Sequence, residues 1–248
     1  MVRVDLYPAG APGEGVVFDN GTRPVDEGMW LVAGSLEGWY GPPGPRERPA
    51  ARTGVDRDWA PAVLSQGART VTLKARARYG SSLALQAVLD RVAGLSCRPL
   101  TLVVSDEAGV RHCSCHVADA VDPLVYGDRL MADMTLVLCA PDPYRYGPAL
   151  TVHAAGGVAD VVNPGGLPVW PRVHVAGHVT GLDLSYQGRS VTWTGDAPAL
   201  DLDLRDMIPR TGTVGVGDGF RLPPGSSRVS VGVTPGADVS LTIEPAWR

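Results

Sequence analysis

A chain of 248 residues exceeds the commonest single-domain size, so two domains are the expectation, and its 44% hydrophobic content argues against global disorder. The formal net charge is −4, and no stretch gathers Lys and Arg among aromatics. Sequence-independent nucleic-acid binding needs such a basic track to displace counterions, so it is not expected. No apolar run approaches the length that spans a bilayer, so membrane insertion is not expected either.

At the N-terminus Val2, Val4 and Leu6 alternate with Arg3 and Asp5, the pattern of a strand and not of a signal peptide. This places synthesis in a cytosol, where the four cysteines (Cys97, Cys113, Cys115, Cys139) are expected to be free thiols. A second apolar piece covers Met29 to Ala33. From Gly38 to Pro61 the chain is rich in Pro, Gly and Arg, with almost no periodicity. Irregular segments of that length are usually functional. Trp39, Tyr40 and Trp59 at its edges favour an ordered arm over a solvated loop, and interfaces concentrate aromatics and Arg. Trp39, Tyr40, Arg46, Arg48 and Trp59 are therefore the candidate residues for contact with another subunit.

Next, Val71, Leu73, Ala75 and Ala77 alternate with Thr70, Thr72, Lys74 and Arg76 over Arg69 to Arg78, which predicts a strand. A helix is predicted over 82–93. Ser81 or Ser82 caps it, Leu85, Val88, Leu89 and Val92 share one face, and Gly94 is the expected left-handed end. Strands follow at Leu100 to Ser105 and Val110 to Val121, joined by a turn at 106–109, and Leu130 to Leu138 line one face of another. The first half thus reads as a β-sheet domain with one packed helix. Pro141 to Pro148 cannot continue a central strand, which sets domains at 1–147 and 148–248. The second half has no helical pattern. Short alternating pieces occur at Val173–Val175, Leu182–Tyr186, Val191–Trp193, Leu200–Leu204, Val229–Val233 and Val239–Ile243, with turn residues between them. That spacing predicts a β-sandwich or jelly roll, so the fold class is mainly β.

Few residues point to chemistry. His112-Cys113-Ser114-Cys115-His116 has zinc-ligand types, but on a strand the cysteines face one way and the histidines the other. Buried cysteines beside exposed histidines are the expectation, and no metal. Asp201, Asp203 and Asp206 alternate with leucines at strand spacing and lack the offsets of a calcium loop. No nucleophile elbow, zinc-protease helix motif or phosphate loop is present, so neither enzyme activity nor a cofactor is expected. A pair of glycosidase carboxylates would leave no short motif. Trp170, Trp193 and Trp247 lie in the second half. Trp170 and Trp193 are candidates for stacking on sugars, against the plainer reading that they fill the sandwich.

Taken in order, several segments resemble the distal tail protein (minor tail protein) family of siphoviruses, the long-tailed, non-contractile bacteriophages. Gly67-Ala68-Arg69-Thr70-Val71-Thr72-Leu73 is similar to that family's glycine-x-arginine strand before the capped helix. Ala140-Pro141-Asp142-Pro143-Tyr144-Arg145-Tyr146 is similar to its domain-closing segment. Asn163-Pro164-Gly165-Gly166-Leu167-Pro168-Val169-Trp170-Pro171-Arg172-Val173 resembles the opening of its second domain. Phe220-Arg221-Leu222-Pro223-Pro224-Gly225 resembles its late turn, and Trp247 falls where the family often closes. The Pro-rich segment 41–49 and the ending after Trp247 depart from it. The resemblance implies a tail-tube-like N-terminal domain, a galectin-like C-terminal docking domain and no catalysis. It also implies a hexameric ring at the virion tail tip, contacting the tail tube protein, the tail-associated hub protein and the receptor-binding apparatus. The alternative function is a carbohydrate-binding module that touches the host surface. A wall-degrading hydrolase is a third reading, with no motif behind it.

Overall fold

A computed structural model describes residues 2–20, 27–56, 58–215 and 217–248. The chain divides into two compact units, residues 1–145 with Arg248, and residues 146–247. The protein is mainly β, with one α-helix among the described residues. No helix among them is long and apolar enough to cross a membrane.

The first unit contains β1 (Arg3–Pro8), β2 (Val16–Asp19), β3 (Gly28–Leu31), β4 (Ala50–Ala51), β5 (Asp58–Trp59) and β6 (Arg69–Arg78). After α1 (Ser82–Ala93) come β7 (Leu100–Asp106), β8 (Gly109–Val117), β9 (Leu124–Val125) and β10 (Met131–Ala140). The main sheet runs in the order β2-β1-β7-β8-β10-β6-β3, and its end strands β2 and β3 come back beside each other. The sheet therefore curls around its core. The period-two reading of β6 holds: Val71, Leu73, Ala75 and Ala77 are buried. Each fully buried Val or Leu of this kind contributes about 1.5–3 kcal/mol. The full length of β6 pairs with β10, from Arg69 opposite Ala140 to Arg78 opposite Met131.

Ser81 caps α1, its Oγ accepting the Ala84 N–H at 3.2 Å, and Leu85, Leu89 and Val92 face the core. The helix end differs from expectation. Gly94 is right-handed (φ −64°), with its N–H on the Asp90 carbonyl. The chain turns further through bonds from Leu95 to Val92 and Ser96 to Ala93, and Cys97 (φ 58°) takes the left-handed position. The strand returning from the 106–109 turn ends at Val117, short of the expected Val121.

A short strand β11 (Arg145–Tyr146) precedes the second unit, which is all β: β12 (Leu150–His153), β13 (Val158–Asn163), β14 (Arg172–Tyr186) and β15 (Arg189–Asp203). It continues with β16 (Thr213–Val214), β17 (Gly225–Val233), β18 (Asp238–Ile243) and β19 (Ala246–Trp247). Segments that read as four short strands prove to be two long ones, β14 and β15, hairpinned at Gln187-Gly188. A bulge between Ala176 and Gly181, with Gly177 at φ 92°, breaks the alternation without ending the strand. Beyond the bulge β14 changes partners. Residues 172–176 pair with β18, and residues 182–185 pair with β17. A strand that switches partners at a bulge makes the corner of a sandwich. Val173, Val175, Leu182, Leu184, Trp193, Leu200 and Leu202 fill the core it encloses.

Candidate assembly interface

The Gly38–Pro61 segment is an arm with a fixed root. Its Arg57 lies outside the described residues. Arg69 starts β6 on the same face as Val71 and Leu73 and is fully buried. Its Nη1 donates to the carbonyls of Gly38 (2.6 Å), Trp39 (2.9 Å) and Gly41 (2.7 Å), and its Nε to that of Pro143 (2.8 Å). Carbonyl dipoles thus take the place of water at Nη1 and Nε, Nη2 is buried without a partner, and burial holds the pKa below the ordinary arginine value. Gly38 sits at φ 84°, where a Cβ would lie 2.0 Å from the Thr70 carbonyl oxygen, so only glycine permits this approach. Two segments that carry the family resemblance, 67–73 and 140–146, therefore meet at one guanidinium.

Trp39 is 1% exposed, and Arg145 stands 5.6 Å from its ring centroid. A side chain with no free surface cannot anchor a neighbour, so the expectation for Trp39 is corrected: it is a core residue at the arm's root. Arg145 is itself buried and donates to the Arg248 carbonyl. Burial first, then the charges of Arg69 and Arg111, push it down to about 10, which leaves it charged at neutral pH.

Beyond the root, the arm has a hydrogen-bonded neck. Arg46 N–H donates to Ser65 (2.8 Å), Gly67 N–H to Gly44 (2.9 Å), and Glu47 accepts both the Ser65 N–H (2.7 Å) and its hydroxyl. Those two Ser65 donors, the hydroxyl foremost, hold the Glu47 carboxyl below its usual range. Further out, β4 and β5 pair, and the Arg52 guanidinium stacks 3.9 Å from the Trp59 ring centroid. Trp59 remains 60% exposed, Tyr40 54%, Val63 73% and Leu64 68%, and Arg46 and Arg48 face solvent. The structure thus separates the sequence candidates. Tyr40, Arg46, Arg48 and Trp59 are on the surface, and Trp39 is not. Arg69 was missed as a tie, although its place in the inward-facing set of β6 was a readable signal.

The second unit has a comparable lock. Asn163 is buried, its Nδ2 donating to the carbonyls of Leu167 (2.9 Å) and Leu222 (3.0 Å), its Oδ1 accepting the Gly165 N–H (2.9 Å). A Cβ on Gly165 would lie 2.7 Å from the Ala246 main-chain nitrogen. Two further resemblance segments, 163–173 and 220–225, therefore meet at one side chain.

The two sugar-stacking candidates are placed differently. Trp193 is 1% exposed, with its Nε1–H on the Thr211 carbonyl at 2.8 Å. Trp170 is half-buried, with the Arg221 guanidinium 4.7 Å from its ring centroid. That expectation is corrected for Trp193, whose ring fills the core, and the ring of Trp170 already has a cation on it. Cys113 and Cys115 point into the core, while His116 lies on the exposed face. Asp201 and Asp203 pair across strands with His174 (2.7 Å) and Arg172 (3.2 Å), and Asp206 accepts the Ile208 N–H. Among the described residues no three His, Cys, Asp or Glu side chains converge as a metal site.

No protein-family model matches the sequence, and no curated protein matches it. Solved structures do. The Dit protein of phage SPP1, described as a paradigm of the hub adsorption apparatus in phages infecting Gram-positive bacteria, aligns over 88% of this chain and 94% of its own. Its identity is 15% and the TM-score 0.65. A chain of the phage P2 baseplate in its activated conformation aligns over 98% of both chains at 10% identity, with a TM-score of 0.49. The chain therefore has the fold of a phage distal tail protein.

Proposed function

We propose that this chain is a structural subunit of the tail tip of a siphovirus, built as a hexameric ring. The observation that carries the reading is the distal-tail fold, matched over 88% of the chain. The ring joins the tail tube protein on one face to the tail-associated hub protein and the receptor-binding apparatus on the other. In this reading the first unit is the tail-tube-like, ring-forming domain (1–147) and the second is a galectin-like docking domain (148–248). The arm supports subunit contact through Tyr40, Arg46, Arg48 and Trp59, because a rooted arm bearing exposed aromatic and arginine side chains is what interfaces concentrate. The role is architectural and not catalytic. Of the two tryptophans on which a carbohydrate-binding module was argued, Trp193 is buried and Trp170 already carries the Arg221 guanidinium, which leaves that reading without support.

The test is the native mass of the purified protein by light scattering behind a sizing column, with negative-stain images of the same fractions. Six-membered rings support the proposal. A chain that is monomeric alone and stays monomeric when mixed with tail tube and hub proteins overturns it.

A further inference from the structure

Two guanidinium groups are buried in the first unit, and each has a nitrogen without a partner. Arg69 Nη2 and Arg145 Nε are sealed from solvent and meet no hydrogen-bond acceptor among the described residues. The two residues are 0% and 6% exposed. Arg69 gives its other bonds to four main-chain carbonyls, and Arg145 donates to the Arg248 carbonyl. Carbonyl dipoles solvate a cation but do not neutralise it, and a buried charge is stable when it is paired.

Cys113 is the acid placed to pair with them. Its side chain points inward from β8 and is 1% exposed. The β8–β10 ladder sets His116 opposite Cys139, and the next residue of β10, Ala140, stands opposite Arg69 on β6. Cys115 and Arg69 therefore flank Ala140 on the inner face, two strand spacings or about 10 Å apart. Cys113 is one inward position further along β8, towards Pro143, whose carbonyl takes Arg69 Nε. β11, which carries Arg145, pairs with β8 as well.

The charges around this thiol come from every neighbouring element. A hydrogen bond from Cys115 holds the Cys113 thiol below its ordinary 9.0, against burial, and Arg69 and Arg145 act in the same direction while Asp142 opposes them. Cys115 is moved the other way, by its bond to Cys113 and by burial, with Cys139 adding to the effect, so it stays the donor of the pair. Around Arg145 stand Arg111, Asp106 and Tyr40.

We propose that Cys113 is carried as a thiolate, the buried counter-ion that joins Arg69 to Arg145 beneath the arm's root. A neutral thiol is a weak acceptor, whereas a thiolate takes charge-assisted N–H bonds, so ionisation supplies the partner that Arg69 Nη2 and Arg145 Nε lack. Because Arg69 also ties Gly38, Trp39 and Gly41, the firmness of the root then depends on the state of one thiol. With the folded value below 9.0, the pair's contribution is complete above that ordinary value and is lost as pH falls through the folded one. None of this depends on the ring.

Thiolate absorbance in the far ultraviolet, recorded on the full chain, tests it at any oligomeric size. At neutral pH the folded wild type should show one thiolate that disappears on unfolding, because a free cysteine is mostly protonated there. Acid titration of the folded protein should remove the same absorbance, and Cys113→Ser, close to cysteine in shape, should lack it throughout. Arg69→Met should raise the midpoint by about one pH unit or more. A folded wild type with no thiolate absorbance beyond that of the unfolded chain overturns the proposal, and so does a midpoint that Arg69→Met leaves in place. Melting that climbs with chloride while Cys113 stays protonated also overturns it, and gives the two arginines to an inorganic anion instead.

Discussion

Replacing Arg69 by Met isolates the tie at the arm's root. Methionine keeps a long apolar stem on the core side and removes all four donations, to Gly38, Trp39, Gly41 and Pro143. The full worth of four charged bonds is not lost. The wild-type guanidinium is itself desolvated, and Gly38 and Gly41 are exposed residues and Pro143 half-buried, which gives water a route to replace it. Trp39 is the buried partner, and leaving its carbonyl unpaired costs about 1–3 kcal/mol, with roughly 1 kcal/mol net for the remainder. The expected loss is about 3 kcal/mol, or about 9 °C in the melting of a unit this size. Hydrogen exchange read by mass spectrometry gives the decisive pattern. Residues 38–47 and 141–144 should lose protection together, although they are far apart in sequence, while β7 should keep it. Lysine at this position should recover part of the loss, since a single ammonium cannot span four carbonyls. An Arg69→Met protein that melts within about 2 °C of wild type, or that frees one of the two segments alone, would refute the shared tie.

The neck should weaken in acid. Glu47 has a folded pKa below its ordinary 4.5, so its contribution is complete above that value and is lost as pH falls through the folded value. Exchange protection at the Ser65 and Gly67 amides should drop there, and a flat profile into strong acid would contradict the assignment. Asn163→Ala removes three buried bonds and should cost about 2–4 kcal/mol, read in thermal unfolding as loss confined to the second unit. Trp193→Ala should cost about 3–5 kcal/mol, whereas Trp193→Phe loses little beyond its bond to Thr211. Both variants should behave as wild type on a glycan array, and sugar binding abolished by Trp193→Phe would reinstate the stacking role. Gly38→Ala should destabilise the arm's root, because its Cβ would meet the Thr70 carbonyl at 2.0 Å, and limited proteolysis of the arm reads it directly.

Local chemistry was legible wherever one element's own residues decide the outcome. Period-two alternation in 69–78 put Val71, Leu73, Ala75 and Ala77 on the buried face, since a pleated strand sends successive side chains to opposite sides. A serine before an apolar helical stripe capped α1 because its oxygen reaches an N–H two or three residues on. The mainly β class and the inward cysteines of β8 follow from the same short-range geometry. The chain from 172 to 186 was not legible as one strand, because a bulge interrupts the alternation while ladder bonds from neighbouring strands carry it through.

Trp39 and Trp59 frame one arm and look alike in sequence. One is sealed beneath Arg145 and the other stands in solvent, and the difference is made by what folds against each of them. Arg69 makes the same point. Its inward parity can be read from 69, 71 and 73, but its partners lie 31 and 74 residues away. Sequence by itself determined which faces of the strands and helix are apolar, because that depends on spacing along the chain. Only the tertiary structure decided which polar groups are buried with partners, because those contacts form between segments whose separation carries no local signal.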